Sequence, residues 1–296
     1  MKVKVLGTGL SGLVGSRIVE LLGPKFEFED LALEKGHDIT RLRTIEKKIA
    51  SFPASFLIHL AAFTDVGAAW EENNNKTGRC YRINVEGTEN IASLCAKYRK
   101  HLIHFSTDFV FGGESNEPYT EKDKPNPIDW YGKTKAWAEE KVKTSGCSYT
   151  IVRIAYPFRA RYPAKTDLIR QLINGLRDKS LYPMFADKII TPTFVDDIAW
   201  GIGKILERGS EGIWHLTGSS FVSHYELAKL VVRTFSFDES LVKKGSLLEY
   251  QKSNPEARPY PRCLKIANQK AIRELGIEMK DINSALLSIK EQMKIK

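Results

Sequence analysis

The chain opens with the stretch VKVLGTGLSGLVG, which occupies residues 3–15. Its first four residues read as a buried strand, and residues 13–22 read as a helix that Gly23-Pro24 ends. A glycine-rich turn between strand and helix lets the backbone approach a pyrophosphate, and the helix N-terminus attracts the phosphate charge. The stretch therefore predicts a dinucleotide-binding turn. Its cofactor-binding residues are expected to be Gly9, Leu10, Ser11, Gly12, Leu13 and Val14.

An acidic residue about 20 positions beyond such a turn is expected to meet the adenosine ribose. Glu34 lies 19 residues past Gly15, and Asp38 follows shortly after it. Lys35 and His37 could instead hold a 2′-phosphate. The sequence predicts either NADP or NAD as the cofactor and leaves the choice between them open.

Short apolar runs alternate with amphipathic segments over the first half of the chain, which predicts crossover units on a parallel sheet. We expect an α/β fold, a Rossmann-type doubly wound parallel sheet with a smaller C-terminal substrate-binding lobe. The proline-rich residues 112–130 are expected to form a long loop. Strands are predicted at residues 3–6, 28–33, 56–60, 101–106, 149–154 and 213–216, and helices at 13–22, 83–98, 131–143 and 194–206.

The composition limits the possible functions. The 296 residues include 45 Lys and Arg against 36 Asp and Glu, a net charge of +9, and 42% are hydrophobic. This apolar fraction can bury a core, which excludes a wholly disordered chain. The basic residues are spread along the chain and no apolar run reaches about 20 residues, so we expect neither a nucleic-acid nor a membrane partner. Four widely spaced cysteines, without metal spacing, favour a reduced cytoplasmic protein with no metal site.

Two further motifs carry chemistry. Tyr131 and Lys135 are spaced i and i+4 and share one face of the predicted helix. An ammonium beside a phenol favours the phenolate, so this pair suits acid–base chemistry on carbonyls and alcohols. Thr107 ends a predicted strand at the sheet edge where ligands bind, and its hydroxyl can hydrogen-bond a substrate carbonyl.

These motifs resemble those of the extended short-chain dehydrogenase/reductase family, over nearly the whole chain to about residue 262. Within that family, the resemblance is to reductases of nucleotide-linked 4-keto-6-deoxy sugars of the rhamnose type. The segments that carry it are HLAAFTDV (59–66), NVEGT (84–88), STDFVF (106–111), YGKTK (131–135), TPT (191–193), DDIA (196–199) and Arg258-Pro259.

The resemblance implies a reduction by hydride transfer, with Tyr131 as the general acid that protonates the C4 oxygen of the sugar. Lys135 would lower the pKa of Tyr131 and hold the nicotinamide ribose, and Thr107 would orient the carbonyl. Leu60, Ala61 and Ala62 would join Tyr131 and Lys135 in lining the cofactor. The substrate would contact Thr64, Val66, Thr107, Asp108, Phe109, Tyr131, Tyr156 and Arg258, the last at the nucleotide diphosphate. A homodimer is also possible.

Departures from the family pattern put the identity of the sugar nucleotide in doubt more than the reaction. His59-Leu60 stands before the Ala-Ala pair, where the family usually has an asparagine. Phe63 and Phe109 replace two tyrosines, and Asp187-Lys188 replaces an Asp-Gln pair.

We expect residues 1–155, with about 189–218, to form the cofactor-binding core. About 156–188 and 219–296 would form the substrate-binding lobe. Two other functions remain open: a sugar-nucleotide epimerase or dehydratase of the same fold, and a non-catalytic regulatory subunit like that of methionine adenosyltransferase.

Overall fold

A parallel six-stranded sheet forms the centre of the computed structural model, which describes residues 2–294. In chain order the strands are β1 (Val3–Thr8), β2 (Phe26–Asp30), β3 (Phe56–His59), β4 (His101–Thr107), β5 (Tyr149–Ile154), β6 (Pro157–Phe158), β7 (Met184–Phe185), β8 (Ile189–Ile190), β9 (Thr193–Phe194), β10 (Gly212–His215), β11 (Val222–Ser223) and β12 (Lys244–Gly245). The sheet has the order β10-β5-β4-β3-β1-β2, and all neighbouring strands are parallel.

Helices cover both faces of this sheet. They are α1 (Leu13–Leu22), α2 (Leu42–Ser51), α3 (Val66–Glu71), α4 (Arg79–Tyr81), α5 (Thr88–Lys97), α6 (Trp130–Thr144), α7 (Leu168–Arg177), α8 (Val195–Arg208), α9 (His224–Phe235), α10 (Leu247–Ser253) and α11 (Ile282–Lys294), with a π-helical segment, Arg82–Gly87, joining α4 to α5. One face packs on α1 and α8, and the other on α2, α5 and α6. The expected doubly wound α/β fold is confirmed.

The strand order places the cofactor turn at a switch point of the sheet. From β1 the chain moves outward to β2, and then returns to β3 on the other side of β1. The carboxyl ends of β1 and β3 therefore separate two oppositely directed connections, and this is where open α/β sheets bind ligands. The residues that follow these two strands include Gly9 and Ala61.

The structure corrects the predicted second strand. Residues 28–33 were expected to be extended, but β2 spans Phe26–Asp30, and Leu33–Lys35 form a 3₁₀ turn. The other predicted elements are confirmed with small shifts at their ends. The expected loop over residues 112–130 is confirmed up to Asp129, where α6 begins.

A second apolar cluster lies in the C-terminal half, where α7, α9 and α11 pack together. It is centred on buried Ile169, Leu227 and Leu286. By contrast, Leu275 and Met279 pack with the cluster under α1 and α8. No helix within residues 2–294 has the length and apolarity needed to cross a membrane.

Candidate active site

The glycine turn is closely packed against the end of β3. Gly9 has a φ of +68°, and a Cβ there would come 2.7 Å from the backbone nitrogen of Ala61. A Cβ at Gly15 would meet the carbonyl oxygen of Gly9 at 2.6 Å. Both positions therefore require glycine. Gly12 begins α1 without a side-chain cap, so the first N–H groups of the helix are available to an anion.

A pocket beside this turn brings together residues from three strand ends. Ser11, Asp30, Glu34, Asp38 and Ala61 all line it. The pocket has the position expected for the adenosine half of a dinucleotide, because it joins the turn to the end of β2.

Asp30 is the acidic residue in this pocket that sequence reasoning missed. It is the last residue of β2, and its Oδ1 accepts the N–H of Leu10 at 3.3 Å. Glu34 is exposed, while Asp38 already accepts the N–H and hydroxyl of Thr40, at 2.9 and 2.7 Å. An acidic residue at the last position of the second strand is the sequence signal for this role. Because that strand was predicted at residues 28–33 and not at Phe26–Asp30, Asp30 was not recognised as its last residue.

His59, which precedes Leu60 where the family usually has an asparagine, has a structural role in this chain. Its ring joins Thr8 Oγ1 at 2.7 Å to Thr88 Oγ1 at 3.1 Å, and Thr8 Oγ1 also accepts the N–H of Ala61 at 3.3 Å. Complete burial lowers the pKa of His59 to about 3, so the imidazole is neutral. The ring connects β1, β3 and α5 beneath the cofactor turn, and Leu60 and Ala62 follow it at half-buried positions.

Asn84 fixes the backbone of the segment that follows β3. Its Oδ1 accepts the N–H of Phe63 at 2.8 Å, and its Nδ2 donates to the Phe63 carbonyl and to Thr134 Oγ1. These bonds fix the path of the segment that carries Thr64 and Val66. Thr64 is exposed, and its hydroxyl accepts a hydrogen bond from Lys165 at 3.1 Å.

Thr107, Tyr131 and Lys135 come together at the end of β4 and the start of α6. Asp129 caps α6 by accepting the N–H of Gly132 at 2.7 Å. Lys135 is 2% exposed and donates to the carbonyl of Phe105 at 2.7 Å. A Cβ at Gly132 would clash with the carbonyl oxygen of Phe109, so α6 can approach the 3₁₀ turn Asp108–Val110 after β4 this closely only with glycine after Tyr131.

The protonation states of these side chains follow mainly from burial. Burial raises the pKa of the Tyr131 phenol, the charge of Asp108 adds to this, and a hydrogen bond with Thr107 opposes it. The direction is opposite to the lowering expected from Lys135. Burial lowers the pKa of Lys135 to about 8. Burial also raises the pKa of Asp108 to about 7, although Thr107 Oγ1 donates to Asp108 Oδ1 at 2.9 Å.

Aromatic side chains extend the site away from the cofactor turn. Phe109 contacts Tyr131 edge to face, with ring centroids 5.8 Å apart, and lies 6.3 Å from Tyr156. Arg258 pairs with Asp129 at 3.2 Å and lies 5.7 Å from the Phe109 ring. The structure thus places Asp108, Phe109, Tyr156 and Arg258 around the hydroxyl-bearing residues.

A buried ion pair supports α6 from below. Arg153 of β5 makes two hydrogen bonds to the carboxylate of Glu139, at 2.9 and 2.7 Å. Ser106 donates to the same carboxylate at 2.6 Å. Glu139 lies one turn beyond Lys135, so this network fixes the helix against the sheet. Within residues 2–294, no cluster of His, Cys, Asp and Glu is arranged to hold a metal ion.

This fold and this site define an extended short-chain dehydrogenase/reductase, as the sequence motifs indicated. The chain belongs to the RmlD substrate binding domain family, whose model matches residues 2–295. Among curated relatives, the dTDP-4-dehydrorhamnose reductase of Aggregatibacter actinomycetemcomitans is 28% identical in an alignment that covers 97% of this chain and 98% of that protein. A probable low-salt glycan biosynthesis reductase of Haloferax volcanii is 25% identical and covers 95% of both chains.

Solved structures give the same relationship. A dTDP-4-dehydrorhamnose reductase from Clostridium acetobutylicum superposes with a TM-score of 0.87 at 26% identity, over 99% of this chain and 100% of that one. The reductase of the same name from Bacillus anthracis, solved in complex with NADP, also gives a TM-score of 0.87 at 26% identity, over 99% of each chain.

Proposed function

We propose that this protein is an NAD(P)H-dependent reductase of a nucleotide-linked 4-keto-6-deoxy sugar. The observation that carries the proposal is the meeting of Thr107, Tyr131 and Lys135 at the sheet edge, beside the phosphate-binding turn. The relatives named dTDP-4-dehydrorhamnose reductase support a dTDP-linked substrate.

The residues of the chain fit the dinucleotide. Gly9 and Gly15 provide the close backbone approach, and the uncapped start of α1 provides donors for the pyrophosphate. Bound NAD(P)H would supply the hydride. Lys135 would hold the nicotinamide ribose, while Leu60, Ala61 and Ala62 would line the cofactor.

The proton then comes from Tyr131. A tyrosine phenol is protonated at neutral pH even without the upward pKa shift that burial causes here. It can donate its proton to the C4 oxygen as the carbonyl becomes an alcohol, because the alkoxide that would form there is the stronger base. Thr107 would orient the same oxygen by a second hydrogen bond. The sugar nucleotide would also contact Thr64, Val66, Asp108, Phe109, Tyr156 and Arg258.

Asp30 favours NADH over NADPH in this proposal. A carboxylate at the end of β2 can accept hydrogen bonds from the two ribose hydroxyls, whereas it would repel a 2′-phosphate.

We also propose that the chain is divided into a cofactor-binding core and a substrate-binding lobe, as expected from the sequence. Residues 1–155 with about 189–218 would bind the cofactor, and about 156–188 with 219–296 would bind the sugar nucleotide. The separate apolar cluster around α7, α9 and α11 supports this division. The packing of Leu275 and Met279 adds a short C-terminal segment to the cofactor-binding core.

The test is a screen of NADH and NADPH oxidation with dTDP-4-keto-6-deoxy sugars as substrates. We expect oxidation only when a keto sugar is present, with a product heavier by two hydrogens in mass spectrometry. Reaction without net cofactor consumption would contradict the proposal and indicate an epimerase or a dehydratase. Cofactor binding without turnover of any keto sugar would indicate a regulatory protein. No feature of the site favours either alternative.

A further inference from the structure

Lys188 is a buried lysine in the connection between β7 and β8. It is only 3% exposed. Its neighbours in the chain are both fixed, because Asp187 accepts the N–H of Leu247 at 2.6 Å and Ile189 donates to the carbonyl of Arg262 at 2.7 Å. The backbone therefore holds the base of the Lys188 side chain in one place.

The ammonium of Lys188 contacts two aromatic rings and no acceptor among the residues that the structure describes. Within residues 2–294 it makes no hydrogen bond and no ion pair, and it lies 5.8 Å from the ring centroid of Tyr156 and 5.1 Å from that of Tyr260. Burial and the nearby Arg258 lower the pKa of Lys188 to about 8, while the charge of Asp108 opposes them. A largely buried ammonium without an acceptor has lost most of its hydration, and an anionic ligand would offset that cost.

A second cation lies against the same aromatic ring. The guanidinium of Arg258 is 3.9 Å from the centroid of Tyr260, and its charge is balanced by Asp129 at 3.2 Å. Asp108 does not balance Lys188 in the same way, since its Oδ1 accepts from Thr107 and its buried Oδ2 contacts no donor among the described residues. Of the two cations against Tyr260, Arg258 therefore has a contacting counter-ion and Lys188 has none among the described residues.

We propose that Lys188 binds an oxyanion of the substrate diphosphate, at the phosphoryl group next to the sugar, with Arg258 beside it. This inference rests on the proposed function. In a nucleotide sugar the diphosphate is joined to the anomeric carbon, across the ring from C4. Its oxyanion must therefore lie about one sugar ring away from Tyr131. A continuous series of ring contacts runs from Tyr131 through Phe109 to Tyr156, and the Lys188 ammonium lies at the end of this series, 5.8 Å from the Tyr156 ring.

The assignment accounts for the lysine at position 188, where the family usually has a glutamine. The glutamine usual at this position is neutral, so a lysine adds an ionic contact to the diphosphate. Charge-assisted hydrogen bonds are about twice as strong as neutral ones. Lys188 is then a residue that determines specificity, favouring substrates with a full diphosphate.

The experiment compares Lys188→Met, Lys188→Arg and the wild type. Binding of dTDP alone is measured by calorimetry, and KM and kcat are measured with the keto sugar nucleotide. We expect Lys188→Met to weaken dTDP binding and raise KM roughly tenfold to a hundredfold, with little change in the KM for NADH. Lys188→Arg should recover most of the affinity. Lys244→Met, which removes an exposed lysine nearby on β12, serves as the matched control and should change neither quantity.

Several outcomes would overturn the assignment. Normal dTDP affinity in a folded Lys188→Met protein, with normal turnover, would show that Lys188 does not bind the diphosphate. A loss seen only with the keto sugar, and not with dTDP, would move the contact of Lys188 to the sugar ring. Both results leave the proposed reductase activity standing. A wild type that neither binds dTDP nor reduces a keto sugar would overturn both proposals.

Discussion

Tyr131 and Asp30 show how burial and position decide the chemistry of single residues. Burial and the charge of Asp108 raise the pKa of the Tyr131 phenol, which makes this tyrosine a weaker acid than a tyrosine in water. Asp30 is the last residue of β2 and accepts the N–H of Leu10, so its carboxylate lies in the pocket beside the glycine turn. Each residue leads to a prediction.

Replacing Tyr131 by phenylalanine removes the proton donor and keeps the ring that packs on Phe109. We expect Tyr131→Phe to lower kcat by about 10²–10⁴-fold, the range for loss of a general acid. The dissociation constant for NADH, measured by fluorescence titration, should stay unchanged. Tyr182→Phe, at a tyrosine that is 81% exposed, is the control and should keep full activity. Wild-type turnover by Tyr131→Phe would rule out Tyr131 as the donor.

Replacing Asp30 by serine removes the negative charge beside the adenosine ribose. We expect the wild type to prefer NADH, and Asp30→Ser to shift the kcat/KM ratio towards NADPH by at least about tenfold, because a 2′-phosphate is no longer repelled. Glu27→Ser removes an exposed carboxylate from the same strand and should leave the ratio unchanged. An unaltered ratio in Asp30→Ser would assign the discrimination to other residues.

At the scale of elements, α6 depends on contacts that lie far apart in the sequence. The Tyr131–Lys135 spacing predicts the helix and its reactive face. The ion pair between Glu139 and Arg153 joins the helix to β5 and is fully buried. A buried charge that loses its partner is strongly destabilising, since the remaining ion has neither water nor a counter-ion.

We therefore expect Glu139→Ala to reduce the free energy of unfolding by about 3–5 kcal/mol, measured by urea denaturation. Its neighbour Glu140 forms an exposed pair with Lys143, and Glu140→Ala should cost less than about 1 kcal/mol. Equal effects from the two variants would show that the buried pair does not anchor α6.

The sequence predicted the central strands better than the edge strand β2. Central parallel strands are buried on both faces, and their continuous apolar runs mark their ends. At the sheet edge, charged side chains such as Glu29 and Asp30 belong to the strand itself, so the apolar pattern misplaced its end and hid Asp30. The proposed catalytic pair Tyr131 and Lys135 could be singled out because its i, i+4 spacing is local, and Thr107 could be singled out because it stands at the end of a central strand. The contacts of Glu139 and Lys188 were not, because their partners lie on distant elements.

At the scale of the whole molecule, the two halves of the chain are interlocked around the cofactor turn. Arg17 of α1 makes two hydrogen bonds of 2.7 Å to Asp196 of α8. Arg159, which follows β6, donates two hydrogen bonds to the carboxylate of Glu20 of α1. The apolar faces of α1 and α8 also pack together. The N-terminal half therefore depends on elements that come after residue 155.

A fragment of residues 1–155 tests this dependence. It retains β1 to β5 and the three residues proposed to be catalytic, but it lacks α8 and the edge strand β10. We expect it to lose cooperative thermal unfolding, followed by circular dichroism, and to bind NADH much more weakly than the full chain. A fragment that melts cooperatively and binds NADH as tightly as the full chain would contradict the interlocked arrangement.

The pairing of β10 with β5 also has a consequence for synthesis of the protein. The phosphate-binding turn leaves the ribosome first, but α8 and β10, which cover α1 and the edge of β5, are translated roughly 180 residues later. At synthesis rates of about 5–20 residues per second, this interval lasts on the order of 10–40 s. For that time the part of the α1 surface that packs on α8 has no partner within the nascent chain. The nascent protein should therefore recruit a holding chaperone until Gly212–His215 emerge and complete the sheet.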